Sequence, residues 1–548
     1  MHNMWRRGLL FGSAFVFLGT ASAAVPLGAA AWAAPSQTPE RGGTLTIAES
    51  EEPDCLDPAV SAGDVTAVVA REVFDSLVAQ DATGGLHPWL ATSWSISPNR
   101  EVYTFHLRKD VTFQDGTPFN AAAVKATFDH IVAPATKSEY AISLLGPYTG
   151  TSVVSNYVAQ VHFSKPYAPF LQAASTTYLG VQSPKALTDD PSGLCTHPVG
   201  SGPFSLSKWV PHQSLSLVRN PAYHWAPSFA GNPGPAYLDG ITYSFLSDDS
   251  VRFGALTSGQ VDLATEIPPI DVSALKSSST LQYLHAQAPG ANYNLYLNTE
   301  KGPFANVDVR KAFQQSINLN LIIGSLYHGQ YQRAWSPLGP TTLGFDPKTV
   351  GSWKYSLSTA SKLLQAAGYT GHNAAGYRTD DGKPLVVKWP MFSPEPQQRD
   401  VLAQLIQAQV KNAGFDLQIE PLSIGTYLED YTTGNYDIAD YSFVRDDPDI
   451  LRLIFSSTNK SKPGQPSQNV SLLTNSQVDG WLNQGSTSSS TAVQDATYAK
   501  VQEYVLAQAD VVPMYVPSEL LGASVKVHGL AWDPDAFPVY YSTWISTS

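Results

Sequence analysis

The sequence predicts an α/β fold, because strand patterns and amphipathic helix patterns alternate along most of its 548 residues. Residues 43–48 alternate polar and apolar side chains, as a half-buried strand does. A helix pattern over residues 397–413 ends at Gly414, and an alternating strand pattern follows at residues 415–419. This order of helix, glycine and strand is typical of α/β architecture.

Elements in the first third of the chain can be predicted in the same way. Residues 103–107 alternate so that two aromatic residues and a leucine share one face of a strand. Gly116 offers the positive φ of a tight turn, and Asn120 can then cap a helix. The apolar face of that helix is predicted to consist of Val124, Phe128 and Ile131.

Two further helices are predicted in the C-terminal half. The first starts near Asp308, and one apolar stripe is predicted from Val309, Phe313, Ile317 and Leu321. The second covers residues 359–367 and stops at Gly368, a residue type that often ends helices.

Length and composition limit the class of protein. A chain of 548 residues is too long for one core and suggests roughly three domains. Hydrophobic residues make up 43% and charged residues 14%, which indicates a folded chain. The net charge of −13, without a long Lys/Arg run, argues against a nucleic-acid partner, because phosphates are bound mainly by Lys and Arg.

The first 33 residues have the pattern of an export signal. Arg6 and Arg7 precede an apolar run, and small residues lead to Ala33, after which we predict cleavage. The two arginines resemble a twin-arginine signal, although a general secretory signal can carry them too. The alternative is an uncleaved membrane anchor. Neither cysteine follows the apolar run directly, so we expect no lipid anchor and a periplasmic location.

Cys55 and Cys195 are the only cysteines in the sequence. Two cysteines are too few for a disulfide scaffold or a cysteine-built zinc or iron–sulfur site. Export to an oxidising compartment predicts that they form one disulfide. Two buried free thiols are the alternative.

The usual catalytic signatures are absent from the sequence. It contains no Gly-x-Ser-x-Gly, no His-Glu-x-x-His and no P-loop, and its histidines lack metal-ligand spacing. Together these absences argue against the common catalytic sites, and the histidine spacing predicts no metal site. Paired carboxylates converge in space rather than in sequence, so an exported hydrolase with a carboxylate pair in a cleft is the alternative.

Nine short motifs are distributed along the chain after the export signal. They are PWLATSW at 88–94, YTFHLR at 103–108, VTFQDGTPFNA at 111–121, PVGSGPF at 198–204, RNPAY at 219–223, LYLN at 295–298, VRKAF at 309–313, DPD at 447–449 and VPMY at 512–515. Together and in this order, they resemble the extracellular solute-binding proteins of family 5. These are the exported binding partners of peptide, nickel and related ABC importers.

The resemblance implies a periplasmic-binding-protein-like α/β fold with three lobes and a hinged ligand cleft, of the two-hinge class II type with an extra inserted domain. Lobe I would combine residues 34–78, 195–286 and 513–548, lobe II would be the insertion 79–194, and lobe III would cover 287–512. Such a protein captures a peptide or another small organic solute by hinge closure and presents it to ABC permease subunits. The resemblance therefore implies binding, with no enzyme activity and no cofactor. We expect a monomer. Delivery to a sensor instead of a transporter stays open.

The resemblance also indicates where a ligand would bind. Peptide-binding members carry an aromatic residue before the Asp-Pro motif and, three positions later, an Asp that pairs with the peptide amine. Here these positions hold Tyr441 and Val444, and valine cannot pair with an ammonium. A register slip would restore the acid at Asp446, although strand alternation would turn it outward. Arg445 could instead bind a carboxylate or phosphate, unless it forms a surface ion pair with Asp446 or Asp447.

The missing acid makes an ordinary peptide less expected, and it leaves sugars, metal chelates and other solutes open. Aromatic rings at family positions could stack on a sugar or pack around an apolar ligand. Glu52 lies where some members contact ligand. The predicted ligand-binding residues are Glu52, Trp335, Trp389, Tyr441, Phe443, Arg445, Asp446 and Tyr515.

Overall fold

The structure, a computed structural model, describes residues 38–393, 395–463 and 467–547. The predicted export signal, residues 1–33, lies outside the described residues. The strands are Thr44–Glu49, Val78–Gln80, Leu86–Pro88, Ala91–Ile96, Val102–Leu107, Tyr148–Ser155, Val158–Phe163, Phe204–Val210, Ser214–Arg219, Gly240–Phe245, Leu263–Ala264, Leu281–Gln287, Gly290–Leu297, Gln332–Arg333, Gly371–His372, Arg378–Asp380, Lys383–Pro384, Val386–Phe392, Asp416–Leu422, Ile438–Val444, Val511–Val516, Ser518–Ser524, Val527–His528, Ala531–Trp532, Pro538–Val539 and Trp544–Ile545.

Helices separate most of these strands, as the predicted α/β class requires. The α-helices are Asp64–Arg71, Ala121–Val132, Ala141–Leu145, Phe170–Ala173, Pro184–Asp189, Asp249–Thr257, Val272–Ser277, Val307–Gln315, Leu319–Leu326, Leu357–Ala366, Arg399–Lys411, Ile424–Thr433, Ile450–Phe455, Ser476–Thr487 and Thr491–Ala507. Short 3-10 helices are Pro134–Thr136, Thr177–Leu179, Pro303–Ala305, Pro347–Thr349 and Ser457–Asn459. Among the described residues, none of the helices combines the length and the apolar character that crossing a membrane requires.

The largest sheet has seven strands taken from distant parts of the chain. In order across the sheet they are Leu281–Gln287, Ser518–Ser524, Leu263–Ala264, Thr44–Glu49, Gly240–Phe245, Ser214–Arg219 and Phe204–Val210. The central strand Thr44–Glu49 runs parallel to both of its neighbours. Their carboxyl ends therefore reach one edge of the sheet, which is where ligands bind in open α/β sheets.

A separate four-stranded antiparallel sheet forms from residues 91–163. Its strands, in order, are Ala91–Ile96, Val102–Leu107, Val158–Phe163 and Tyr148–Ser155. The predicted inward face of Val102–Leu107 is confirmed, because its two aromatic residues and its leucine are buried. The predicted cap is confirmed too: Asn120 Oδ1 accepts hydrogen bonds from the backbone of the first turn of Ala121–Val132.

A third sheet carries four strands from the C-terminal half. Their order is Gln332–Arg333, Val511–Val516, Gly290–Leu297 and Ile438–Val444. The chain passes between this sheet and the seven-stranded sheet twice, at residues 288–289 and at Pro517. The two crossings run side by side, because Ala288 N donates a 3.0 Å hydrogen bond to Pro517 O.

The single helix predicted from Asp308 to Leu321 is wrong. The structure has two helices, Val307–Gln315 and Leu319–Leu326, separated by a short break. The break has a local cause, since Asn318 starts the second helix by accepting a hydrogen bond from Leu321 N. Leu321 lies on the exposed surface rather than on a continuous apolar stripe.

Helices and strands farther along agree with the prediction. Leu357–Ala366 ends two residues before Gly368, which has a φ of 97°. Arg399–Lys411 is followed by Gly414, with a φ of 101°, and then by the strand Asp416–Leu422. Both glycines adopt the left-handed region that a side chain disfavours, which is why the helices end there.

Cys55 and Cys195 are joined in a disulfide, and their Cα atoms lie 4.3 Å apart. The neighbouring backbone is paired as well, since Leu56 N donates a 2.9 Å hydrogen bond to Cys195 O. A second close contact lies nearby in sequence, where Gly202 N donates to Val73 O over 2.8 Å. These contacts hold the segment after residue 195 against the N-terminal segment.

Candidate functional site

The segment that follows the strand Ile438–Val444 meets two distant parts of the chain. The backbone N–H of Asp446 donates a 3.0 Å hydrogen bond to Asp535 Oδ1 in the C-terminal tail. The side-chain amide of Gln80 donates a hydrogen bond to the carboxylate of Asp446. Because the strand ends at Val444, sheet alternation does not decide the direction in which Asp446 points.

Aromatic rings lie next to these acids. The Phe443 ring contacts Tyr140 edge-on with ring centroids 4.8 Å apart, and Tyr140 contacts Tyr178 in the same way at 4.7 Å. Both tyrosines are almost fully buried. We call the group of Gln80, Tyr140, Tyr178, Phe443, Asp446 and Asp535 the aromatic–acid junction. It brings Phe443 and Asp446, two of the predicted ligand-binding residues, into one place.

The carboxyl groups of the junction hold their protons more tightly than usual. Burial, and then the negative charge of Asp447, raise the pKa of Asp446 to about 7. Burial and the charges of Asp446 and Asp533 raise the pKa of Asp535 well above its usual value. Two acids that repel one another in a poorly solvated place favour a cation between them.

Arg445 forms the ion pair expected with Asp447, but not at the surface. Its side chain is only 2% exposed, and Nε donates to Asp447 Oδ2. The carboxylate of Asp449 lies 3.8 Å from Nη2. The arginine side chain therefore points into the protein, where two acids from the next turn of the chain compensate its charge.

A second acidic group lies at the carboxyl edge of the seven-stranded sheet. We call this group the acidic wall, and its members are Glu49, Glu51, Asp64, Glu266 and Glu519. Glu51 and Asp64 are exposed, Glu266 and Glu519 are partly exposed, and Glu49 is buried. Glu51 and Asp64 also interact electrostatically with the guanidinium of Arg399. We call the space between the acidic wall and Arg399 the cleft.

Arg399 is held in place on its side of the cleft. Its Nε donates a 3.1 Å hydrogen bond to Tyr515 Oη, and Nη2 donates to Ser442 Oγ at 3.0 Å. Its guanidinium also lies over the ring of Tyr293 at 4.3 Å. Tyr515 itself is completely buried and donates to Gln397 Oε1, so this predicted ligand residue holds Arg399 in the present conformation.

Tyr441 lies on the same strand as Phe443. Its ring stacks on Tyr296 with centroids 4.5 Å apart, and its hydroxyl donates to Gln468 O over 2.6 Å. The side chain is half-buried. A ring stacked on one face and bonded at its hydroxyl is fixed in orientation.

The three other predicted ligand-binding residues lie in different surroundings. Trp389 is completely buried, and its Nε1 donates to Asp440 Oδ1 over 2.8 Å. Trp335 lies under the guanidinium of Arg333, 3.4 Å from its ring centroid. Glu52 accepts hydrogen bonds from Trp209 Nε1 and from the backbone N–H of His212, both distant in sequence. Trp389 is therefore part of the core, Trp335 makes a cation–π contact, and Glu52 holds the segment around residues 209–212.

Sequence reasoning missed most residues of the junction and the wall. Tyr140, Tyr178 and Asp535 belong to no family motif, and Glu51, the neighbour of the predicted Glu52, interacts electrostatically with Arg399. The helix start at Arg399 was visible in the sequence, but its side-chain direction was not. In the part of the chain that the structure describes, no group of three or more His, Cys, Asp or Glu side chains is arranged to hold a metal ion.

A parallel sheet edge that faces a second sheet, with aromatic and charged side chains between them, defines a ligand-binding protein of the α/β class. The family model of bacterial extracellular solute-binding proteins, family 5 Middle, matches residues 85–462. The chain belongs to this family, which confirms the resemblance drawn from the sequence motifs. Members of the family are solute-binding proteins rather than enzymes.

Individual relatives agree with this assignment over most of the chain. The probable D,D-dipeptide-binding periplasmic protein DdpA of Escherichia coli strain K12 is 25% identical over 507 residues, covering 89% of this chain and 92% of its own. The periplasmic murein peptide-binding protein MppA of the same strain is 26% identical over 484 residues, covering 85% and 86%. The structure of the periplasmic binding protein DppA from Helicobacter pylori with the peptide STSA superposes with a TM-score of 0.79 at 26% identity, covering 92% and 98%.

Proposed function

We propose that this protein captures a short peptide in the cleft, with the peptide's free amine bound at the aromatic–acid junction. The observation that carries the proposal is the meeting of Asp446 with Asp535 beside Phe443. An ammonium needs charged acceptors when it leaves water, and these two carboxylates supply them. The names of DdpA, MppA and DppA, which refer to peptides, support this ligand class.

Asp446 takes the place of the acid that the alignment leaves missing at Val444. The strand ends at Val444, so the two residues that follow can turn Asp446 toward the C-terminal tail. The amide of Gln80 already occupies one acceptor of this carboxylate, and a bound ammonium would compete with it for the same oxygen.

The proposal includes closure of three lobes around the ligand. Lobe I would combine residues 34–78, 195–286 and 513–548, lobe II would be 79–194, and lobe III would be 287–512. The paired crossings at Ala288 and Pro517 support a hinge between lobes I and III, because the chain passes there directly from one sheet to the other. The ligand would then be enclosed between the acidic wall and Arg399.

The proposal also covers export and delivery. The protein would cross the membrane by its N-terminal signal and work as a periplasmic monomer that presents the closed, loaded form to ABC permease subunits. The periplasmic location named for DdpA and MppA supports this assignment.

Isothermal titration of the full exported chain with Ala-Ala-Ala and with its N-acetylated form tests the amine site. We expect acetylation, and separately Asp446→Asn, to weaken binding by at least 10-fold, because a charge-assisted bond is lost. Asp495→Asn, an exposed acid on the helix Thr491–Ala507, is the matched control and should bind as the unmodified chain does. Equal binding of the acetylated peptide would overturn the amine site. Cleavage of the recovered peptide, read by mass spectrometry, would instead support a hydrolase.

A further inference from the structure

The acidic wall is built by the sheet and not by flexible side chains alone. Thr265 N donates to Ala48 O over 3.0 Å, and Thr265 Oγ1 donates to Glu49 Oε1 over 2.6 Å. On the other side, Ile267 N donates to Leu520 O over 2.8 Å. These bonds fix the residues before and after them, so Glu266 and Glu519 lie on adjacent chain segments at the same edge as Glu49.

The charges around the wall do not balance. Five carboxylates interact with one another there: Glu266 acts on Glu49, Glu51, Asp64 and Glu519. Two cations act on them: Arg252, which is buried and paired with Asp249, and Arg399. Mutual repulsion of this kind disfavours the empty cleft and is relieved by a bound cation.

A second feature at the inner end of the wall also indicates a missing partner. Tyr540 and Tyr243 are completely buried, and among the described residues neither hydroxyl has a hydrogen-bond partner. Tyr540 interacts with Glu49, Glu72 and Glu519, and Tyr243 interacts with Tyr540, Glu72 and Glu49. One oxygen of the buried Glu72 carboxylate also has no hydrogen-bond partner among the described residues. Buried hydroxyls are nearly always bonded, so these two indicate that a polar group or water completes the inner end of the wall.

The missing partner has the chemistry of an organic cation. A metal ion needs several ligands converging on one point, and the described residues contain no such group. An ammonium or guanidinium instead has several N–H donors directed outward, which suits carboxylates spread along a wall.

We propose that the cleft selects a ligand carrying a positive charge in addition to the amine bound at the aromatic–acid junction, and that this charge lies against Glu266 and Glu519 of the acidic wall. The inference rests on the proposed function, since it assigns a second subsite of the same cleft. The cation is the basic side chain of a peptide or an amine of a free polyamine.

The proton affinities of the wall agree with this assignment. Burial and then the charge of Glu266 raise the pKa of Glu49 to about 7 and that of Glu519 to about 8. Partial desolvation, followed by the charges of Glu51 and Glu266, raises the pKa of Asp64 to about 7. A cation at the wall would lower all three pKa values, so its binding releases protons.

Isothermal titration of the full exported chain with four probes tests the subsite. The probes are Ala-Lys-Ala, Ala-norleucine-Ala, Ala-Glu-Ala and spermidine. Norleucine has nearly the shape of lysine without its charge, so the comparison isolates the charge. We expect Ala-Lys-Ala to bind 10- to 100-fold more tightly than Ala-norleucine-Ala, about the effect of one charged hydrogen bond or two, and Ala-Glu-Ala to bind more weakly than either.

Variants of the wall locate the effect. Glu266→Gln and Glu519→Gln should each reduce the preference for lysine over norleucine by about 10-fold. Glu51→Gln, at an exposed position of the same wall, should reduce it less and serves if the other two variants are unstable. Glu503→Gln, an exposed acid on the helix Thr491–Ala507, should leave the preference unchanged.

Each outcome separates the two proposals. Equal affinity for the lysine and norleucine peptides would overturn the cation subsite and leave peptide capture intact. Binding of spermidine but of no peptide would overturn peptide capture and support the cation subsite with a free polyamine as its source. Binding of none of the four probes, in a folded protein, would overturn both.

Discussion

The backbone N–H of Asp446 donates a 3.0 Å hydrogen bond to the carboxylate of Asp535, although 89 positions separate the two residues. This bond places two acids side by side at a junction that also holds Phe443 and Tyr140. The donor is a backbone group, so the contact survives substitution of the Asp446 side chain. The junction can therefore be altered in charge without losing its link to the C-terminal tail.

The stability of the ligand-free protein should fall as the pH rises. The pKa of an Asp side chain in an unfolded chain is about 4. In the folded protein the pKa of Asp446 is about 7, and the pKa of Asp535 is also raised. Between these values the folded chain binds more protons than the unfolded chain, so the free energy of unfolding decreases with rising pH. The same sign holds for Glu49 and Glu519 of the acidic wall.

Thermal melting of the ligand-free chain at pH 5 and pH 8 measures this dependence. We expect the lower melting temperature at pH 8, and a smaller difference for the double variant Asp446→Asn, Asp535→Asn, which lacks two of the titrating groups. Asp495→Asn should keep the full difference. A melting temperature that does not change between the two pH values, or rises, would contradict the raised pKa values.

The disulfide between Cys55 and Cys195 should stabilise the protein substantially. It closes a loop of 140 positions, and in the chain-entropy model such a loop is worth up to about 5 kcal/mol. Reductant should lower the midpoint of urea unfolding for the unmodified chain. It should have no effect on the double variant Cys55→Ser, Cys195→Ser, whose midpoint matches the reduced chain. An unchanged midpoint on reduction would show that the link contributes nothing.

Gly200 is required for a close backbone approach. A Cβ atom at Gly200 would lie 2.0 Å from Val73 O, which is backbone and cannot rotate away. Gly200→Ala should therefore destabilise the protein by about 1–3 kcal/mol or more, the usual range for overpacking. Gly254→Ala is the matched control, because a Cβ there meets nothing within 4 Å and its helix should gain about 0.5–1 kcal/mol. Urea unfolding of both variants gives the comparison, and equal stability of the two would refute the steric argument.

Trp389 should contribute to stability and not to ligand affinity. Its Nε1 is buried and bonds Asp440, so Trp389→Phe leaves that carboxylate short of a donor at a cost of about 1–3 kcal/mol. Ligand affinity measured by titration should change less than twofold. Trp335→Phe weakens but keeps the cation–π contact with Arg333, which also lies over Trp353, and should cost less than about 1 kcal/mol. A large loss of affinity in Trp389→Phe would return this residue to the ligand site.

Sequence patterns predicted helix starts and ends well where the residues that determine them are neighbours in the sequence. Asn120 caps its helix, and Gly414 ends one, because both effects act within a single turn of the chain. The prediction of one helix from Asp308 to Leu321 was wrong, and the cause is also local. Asn318 starts a new helix, which the apolar spacing does not reveal. Short-range preferences are thus readable from the sequence, including some that compete.

Side-chain direction at the site was much harder to predict. The sequence placed both Phe443 and Trp389 near a ligand, and the structure puts only Phe443 at the junction. Asp446 lies two residues beyond the end of its strand, so the alternation rule does not predict its side-chain direction. The direction of such a residue depends on contacts with chain segments that are distant in sequence.

The sequence by itself determined the α/β class, the family and the pair of cysteines, because these follow from periodicity, motif order and composition. Only the tertiary structure decided that Asp535 meets Asp446 and that Glu51 interacts electrostatically with Arg399. Sheet pairing brings together strands from residues 44–49, 263–264 and 518–524, and this assembles the acidic wall at one edge. No local pattern encodes that wall, since its charges lie far apart along the chain and act on one another only after folding.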